Sequence, residues 1–177
     1  MEKLQKKILV VDDEADVRNY LKSALENYDF IVQTAEDGFD ALEKLKNFKP
    51  DLISLDLVMP KHSGIKFYFD LQKNKELKNI PVLIVTGHAR DDLGKVDFEQ
   101  MMMQGPGVYL EKPVNPENYI LTICQLLNIE PPEELKNYKP LKKEDLQEQL
   151  TEKLKNADLE TLKKALEIVQ KQKGEKK

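Results

Sequence analysis

The chain has 177 residues, 34% of them charged and 40% hydrophobic, with a net charge of −4 and one cysteine. That length suits one domain of common size plus an appendage, with a substantial buried core. The lone cysteine excludes an internal disulfide and a cysteine-based metal cluster. Residues 1–129 carry 16 basic and 21 acidic groups and residues 130–177 carry 12 and 11, so neither part has the basic excess of a nucleic-acid footprint.

No apolar run approaches the ~20 residues that span a bilayer, and the first residues lead straight into a short strand rather than a signal-peptide core. A cytoplasmic protein with no membrane contact is expected.

In chain order, Ile8-Leu9-Val10-Val11 is a β-branched strand run that ends in Asp12-Asp13-Glu14, and Val17, Leu21, Leu25 and Tyr28 then recur at helical spacing. Residues 30–35 read as a second strand. Asp37-Gly38 precedes a helix with Phe39, Leu42, Leu45 and Phe48 on one face, which Lys49-Pro50 stops. Residues 51–56 form a third strand that breaks at Pro60 and Gly64, and 65–74 are helical. Residues 80–86 form a fourth buried strand, with Pro81 tolerated near its start. Val108-Tyr109-Leu110 is a brief fifth strand before Lys112-Pro113, and 116–127 is a helix with Pro116 in its first turn. Cys124 sits in that helix as a small buried residue.

Strands alternating with helices imply right-handed crossovers and a five-stranded parallel sheet covered on both faces, a doubly wound α/β fold. Such sheets bind ligands beyond the carboxyl ends of their strands. Those ends here are Asp12 and Asp13, Asp56, Thr86 and Lys112. Each has an ordinary reading: Asp56 can close a turn, Asp12-Asp13 can cap a helix, Thr86 can be a strand former and Lys112 a solvated side chain. Their convergence is what gives them chemistry. Three carboxylates on one rim need a cation, and an all-oxygen site with open positions suits Mg²⁺. An aspartate there can attack phosphorus, with a lysine and a hydroxyl to hold the phosphoryl oxygens.

These residues resemble the receiver domain of two-component response regulators over residues 7 to 128. The resemblance is carried by Val11-Asp12-Asp13-Glu14, by Asp56, Met59, Pro60 and Gly64, by Val85-Thr86-Gly87 and by Tyr109-Leu110-Glu111-Lys112-Pro113. It implies a flavodoxin-like sheet of order 2-1-3-4-5. Asp56 would accept a phosphoryl group from a histidine kinase or histidine phosphotransfer protein. Asp12, Asp13, Asp56 and the Val58 backbone carbonyl would surround Mg²⁺. Lys112 would pair with the phosphoryl group before a cis proline, and Thr86 and Tyr109 would switch together, although Tyr109 can equally be plain core.

Three features depart from the family pattern. Gly87 replaces the usual alanine, the stretch from Thr86 to Lys112 is several residues longer than usual, and the extra length falls within 91–107, which contains Met101-Met102-Met103. Methionines suit an adaptable docking face. His62 and His88 have no second ligand at metal spacing, so solvated or supporting roles are expected, with His88 two residues beyond Thr86 at a position that tunes phosphate lifetime in the family.

Pro131-Pro132 and Lys139-Pro140 mark a linker, giving a receiver domain over 1–129, a linker over 130–141 and a helical extension over 142–177. In the extension, Leu146, Leu150, Leu154 and Ala157 share one face. Asp158 can cap a second helix carrying Leu159, Leu162, Leu166 and Val169, as a helical hairpin, with one continuous helix as the alternative.

The expected function is that of a phosphorylatable response regulator that signals by protein contact. It is not an enzyme beyond its own phosphorylation and dephosphorylation. Its partners would be a histidine kinase or phosphotransfer protein and a downstream protein. Dimers would form through the face from the family's fourth to fifth helix or through the C-terminal helices. A receiver-like scaffold that works without phosphorylation is the alternative. Direct DNA binding and a phosphatase activity rank below both.

Overall fold

In a computed structural model the described residues are 5–87, 108–139, Lys155, Asp158 and 161–163. Contacts divide the chain into two units, residues 1–138 and 139–177, and each is described by itself.

The first unit has five strands: β1 (Lys7–Val11), β2 (Ile31–Ala35), β3 (Leu52–Leu55), β4 (Val82–Thr86) and β5 (Tyr109–Glu111). They form one sheet in the order β2-β1-β3-β4-β5, parallel throughout. Four helices are described: α1 (Ala15–Glu26), α2 (Gly38–Leu45), α3 (Gly64–Lys73) and α4 (Pro116–Leu126). The doubly wound fold and strand order expected from the sequence are those found.

Strand alternation sorts the core into two layers. Leu9, Val11, Ile53, Leu55 and Ile84 face α2 and α3, where Ala41, Leu45, Phe67 and Leu71 cover them. Ile8, Val10, Leu52, Leu83 and Val85 face the other way, under Leu21 and Leu25 of α1 and Tyr119, Ile120 and Ile123 of α4. Cys124 lies in this second layer, and burial raises its thiol pKa, as suits a structural rather than a reactive cysteine.

Two of the helix starts are fixed by capping side chains. Asp37 accepts from Phe39 N and Asp40 N at 2.9 Å each, and Asn115 accepts from Asn118 N at 2.9 Å with Pro116 in the first turn. The α1 and α4 helices are left through Asp29 and Asn128 at positive φ, a conformation these two residue types tolerate.

The stretch expected as a linker is not loose over 130–138. Glu133–Leu135 forms a 3₁₀ turn. Leu135, 5% exposed, packs with Ile8, Leu21 and Tyr119, while the Tyr138 hydroxyl donates to Asn115 Oδ1 at 3.0 Å. The prolines thus redirect the chain onto the domain. One more apolar side chain is buried there, and contacts group residues 130–138 with the first unit.

In the second unit Lys155 is helical, Asp158 is not, and 161–163 are helical. Thr161 N donates to Asp158 Oδ1 at 2.8 Å and Leu162 N to Asp158 O at 3.1 Å, so Asp158 accepts both bonds ahead of the helical residues 161–163. His88, the 91–107 stretch with its three methionines, and the remaining apolar positions of the extension lie outside the described residues.

Candidate functional site

The parallel sheet delivers β1, β3, β4 and β5 to one edge at their carboxyl ends, and the groups expected to converge stand there. One carboxylate oxygen from each of Asp12, Asp13 and Asp56 lies within 4.8 Å of the others. Asp12 and Asp56 are 1% and 4% exposed, so the two charges lie in the protein rather than in water. Lys112 answers them. Its Nζ is 2.7 Å from Asp56 Oδ2, 2.8 Å from Asp12 Oδ2 and 3.2 Å from Glu14 Oε1.

Burial raises the pKa of Asp12, against the hydrogen bond and charge of Lys112 and the Glu14 amide, which pull it down; Asp56 pushes it up again. Burial alone would lower the Lys112 pKa, but the hydrogen bonds and charges of Asp12 and Asp56 outweigh it and drive the ammonium well above its usual range. Lys112 is therefore a fixed positive charge. Its peptide bond to Pro113 is cis, and its backbone N donates to Thr86 O at 3.0 Å, which ties β5 to the end of β4.

The loops that carry the acids are built locally. Asp12 Oδ1 accepts from Glu14 N at 2.9 Å, and Asp56 Oδ1 accepts from Val58 N at 3.1 Å, so each acid spends one oxygen on its own turn and turns the other toward Lys112. After Asp56 the chain folds back tightly. A Cβ on Gly64 would stand 1.8 Å from Asp56 O, and Gly64 N donates to Leu57 O at 3.1 Å, so only glycine fits where α3 starts. Val58 is 41% exposed beside this turn.

Thr86 is 1% exposed at the end of β4, and its hydroxyl has no hydrogen-bond partner among the described residues. Tyr109 on β5 is 42% exposed, with its side chain toward the surface rather than in the core. Of the solvated and supporting roles open to His62, its burial fits the supporting one. It is 2% exposed, stacks on Phe39 with ring centroids 4.4 Å apart, and sets Nε2 3.3 Å from Asp70 Oδ2, which staples the β3–α3 loop to α2 and α3. Phe39 is accordingly 58% exposed and lies over His62 instead of inside the core.

Two participants were not singled out from the sequence. Glu14 reaches Lys112, and Arg18 Nη1 donates to the carbonyls of Asp12 at 2.6 Å and Asp13 at 2.9 Å. Arg18 stands one helical turn after Glu14, which is the only sequence signal it offers. As a donor set, three carboxylates with an ammonium already bridging two of them fit a hard divalent cation, which takes oxygen ligands.

Comparison with known proteins agrees with this geometry. The family model of the response regulator receiver domain matches residues 8–123. The PilH protein of Pseudomonas aeruginosa is 35% identical over 121 residues, which are 68% of this chain and 97% of PilH. The alkaline phosphatase synthesis transcriptional regulatory protein PhoP of Bacillus subtilis is 35% identical over 140 residues, 76% of this chain and 55% of PhoP. The chain spans about half the length of several such relatives, 55% of PhoP and 51% of the phosphate regulon regulator PhoB of Escherichia coli. Among solved structures, the chemotaxis response regulator CheY4 of Vibrio cholerae superposes with a TM-score of 0.60 at 29% identity, covering 69% of this chain and 98% of that one. The chain belongs to the response regulator receiver domain family.

Proposed function

We propose that the chain is a phosphorylatable response regulator in which Asp56 accepts the phosphoryl group. The observation that carries the reading is the single ammonium of Lys112 held at 2.7 and 2.8 Å from the buried oxygens of Asp56 and Asp12. A fixed positive charge beside a buried carboxylate is what a phosphoryl acceptor needs, because charge on the transferring group is neutralised with little reorganisation. Asp56 Oδ2 attacks the phosphorus of the donor, the bond from phosphorus to the donor's leaving atom breaks with its electron pair, and an acyl phosphate results. Lys112 then pairs with the new phosphoryl oxygens in place of the carboxylate it holds before transfer.

Asp12, Asp13, Asp56 and the Val58 carbonyl would hold Mg²⁺. When bound, the ion supplies charge neutralisation and orientation of the phosphoryl oxygens. The Thr86 hydroxyl, buried and without a partner among the described residues, is available to a phosphoryl oxygen. Its inward turn would vacate space for Tyr109, and a population shift between two arrangements follows. A histidine kinase or phosphotransfer protein would be the donor and a protein the target, with the chain acting once per phosphoryl group rather than as a turnover enzyme. The helical extension beyond residue 138, or the face around β5 and α4, would serve dimerisation or choice of partner. No helix among the described residues is long and apolar enough to cross a membrane. A cytoplasmic site of action is part of the same proposal.

The test is intact mass after incubation with acetyl phosphate and Mg²⁺. Gain of one phosphoryl group that needs Mg²⁺ and is lost in Asp56→Asn is expected. Labelling that survives the substitution would place the acceptor elsewhere. Absence of labelling with both acetyl phosphate and a histidine phosphotransfer donor would leave the scaffold reading in its place.

A further inference from the structure

The β1–α1 loop carries two of the three acids, and one residue holds all its carbonyls. Arg18 Nη1 donates to Asp12 O at 2.6 Å and to Asp13 O at 2.9 Å, and the Arg18 backbone N donates to Glu14 O at 3.0 Å. Arg18 is partly buried, and the ion pairs of the described residues do not include it, although the carboxylates of Asp12, Asp13 and Glu14 belong to the very residues it binds. Its guanidinium is spent on peptide oxygens. The carboxylates are left to Lys112 and to one another.

We infer that Arg18 is a positioning residue for the acidic site, a clamp that fixes the peptide planes after Asp12 and Asp13 and so aims their carboxylates at Asp56. Three neighbouring carboxylates repel, and a loop free to turn would relax by moving Asp13 outward. Charge-assisted bonds to two consecutive carbonyls oppose that motion, and a planar guanidinium delivers them with little loss of its own freedom. The ordering cost of the loop is then met when the chain folds rather than when a cation binds, which raises affinity without adding a ligand.

Charge and clamp act with opposite sign. A positive group beside the acids weakens cation binding, so if Arg18 acted through its charge, removing it would tighten Mg²⁺. If it acts as a clamp, removing it loosens Mg²⁺. The inference rests on the proposed Mg²⁺ site, and calorimetric titration of the full chain with Mg²⁺ separates the two. Arg18→Gln should bind Mg²⁺ roughly tenfold more weakly, the scale seen when groups that orient metal ligands are removed. The Mg²⁺ concentration giving half-maximal labelling by acetyl phosphate should rise by the same factor. Equal or tighter binding in Arg18→Gln, with the wild-type chain binding normally, would overturn the clamp. A wild-type chain that does not bind Mg²⁺ at all would instead sink the reading of the site. Should Arg18→Gln not melt cooperatively, Arg18→Lys decides. It keeps the charge but ends one bond short of the place of Nη1, out of reach of the two carbonyls, so Mg²⁺ affinity weaker than wild type supports the clamp and an unchanged affinity refutes it.

Discussion

Lys112 sets its Nζ 2.7 Å from Asp56 Oδ2, and that contact joins the end of β5 to the end of β3 across 56 residues of sequence. With Asp12 at 2.8 Å on its other side, the ammonium bridges two acids that would otherwise repel inside the fold and offsets half of their charge.

Replacing Lys112 with Ala should therefore destabilise the domain at neutral pH by ~3 kcal/mol, because two buried carboxylates lose their shared counterion. Divalent cation should restore part of that loss, raising the Tm of Lys112→Ala by more than it raises that of the wild type. Thermal melts with and without Mg²⁺ measure both. An equal Mg²⁺ response in the two proteins would mean that lysine and cation do not answer the same charge.

Asp37 caps α2, and its pKa lies below the usual 3.8, held down first by the Asp40 amide, then by the Phe39 amide and Lys61, against a smaller push from burial. A carboxylate whose pKa is lower folded than unfolded stabilises the fold above the unfolded value, and that stability is lost as pH falls through the folded one. Asp37→Ala should cost ~1 kcal/mol at pH 7 and progressively less at pH values below 3.8. Denaturant midpoints across that range check the slope, and a pH-independent difference would remove the charge from the account.

Leu135 marks where the first unit ends. Truncation after residue 138 should leave a cooperative melt close to that of the first unit in the full chain. Truncation after 129 strips Leu135 and Tyr138 from the layer beneath α1 and α4 and should lower Tm. Leu135→Ala alone should cost about 2–3 kcal/mol. Identical melts for the two truncations would show that the 3₁₀ turn adds nothing.

Gly64→Ala should fold poorly or label slowly. The added methyl meets the Asp56 carbonyl at 1.8 Å, and either α3 or the acceptor's own peptide must move. The strain is expected at ~1–3 kcal/mol. Melting and the rate of acetyl phosphate labelling, measured together, tell which element gives way.

The sheet and the residues of its rim were legible because short continuous apolar runs that stop at a polar residue identify both a buried strand and its end. Asp12, Asp56, Thr86 and Lys112 were all found that way. What escaped was written in backbone groups and in long contacts. Arg18 binds carbonyls, which carry no sequence signature, and His62 is buried by Phe39 and Gly38 across a loop junction. The stretch around Pro131-Pro132 reads as a spacer because prolines interrupt periodicity. Its buried Leu135 has only Tyr138 beside it in the same layer, too short a pattern to read as an element.

Asn115 receives two donors, the Asn118 amide that starts α4 and the Tyr138 hydroxyl at the close of the first unit. Residues 115 and 138 are thereby buckled together, and the cis peptide at Lys112-Pro113 lies just outside the buckle. A pull applied to the chain beyond residue 138 is shared between Asn115, a few residues from the lysine of the site, and the core layer that holds Leu135 and Tyr138.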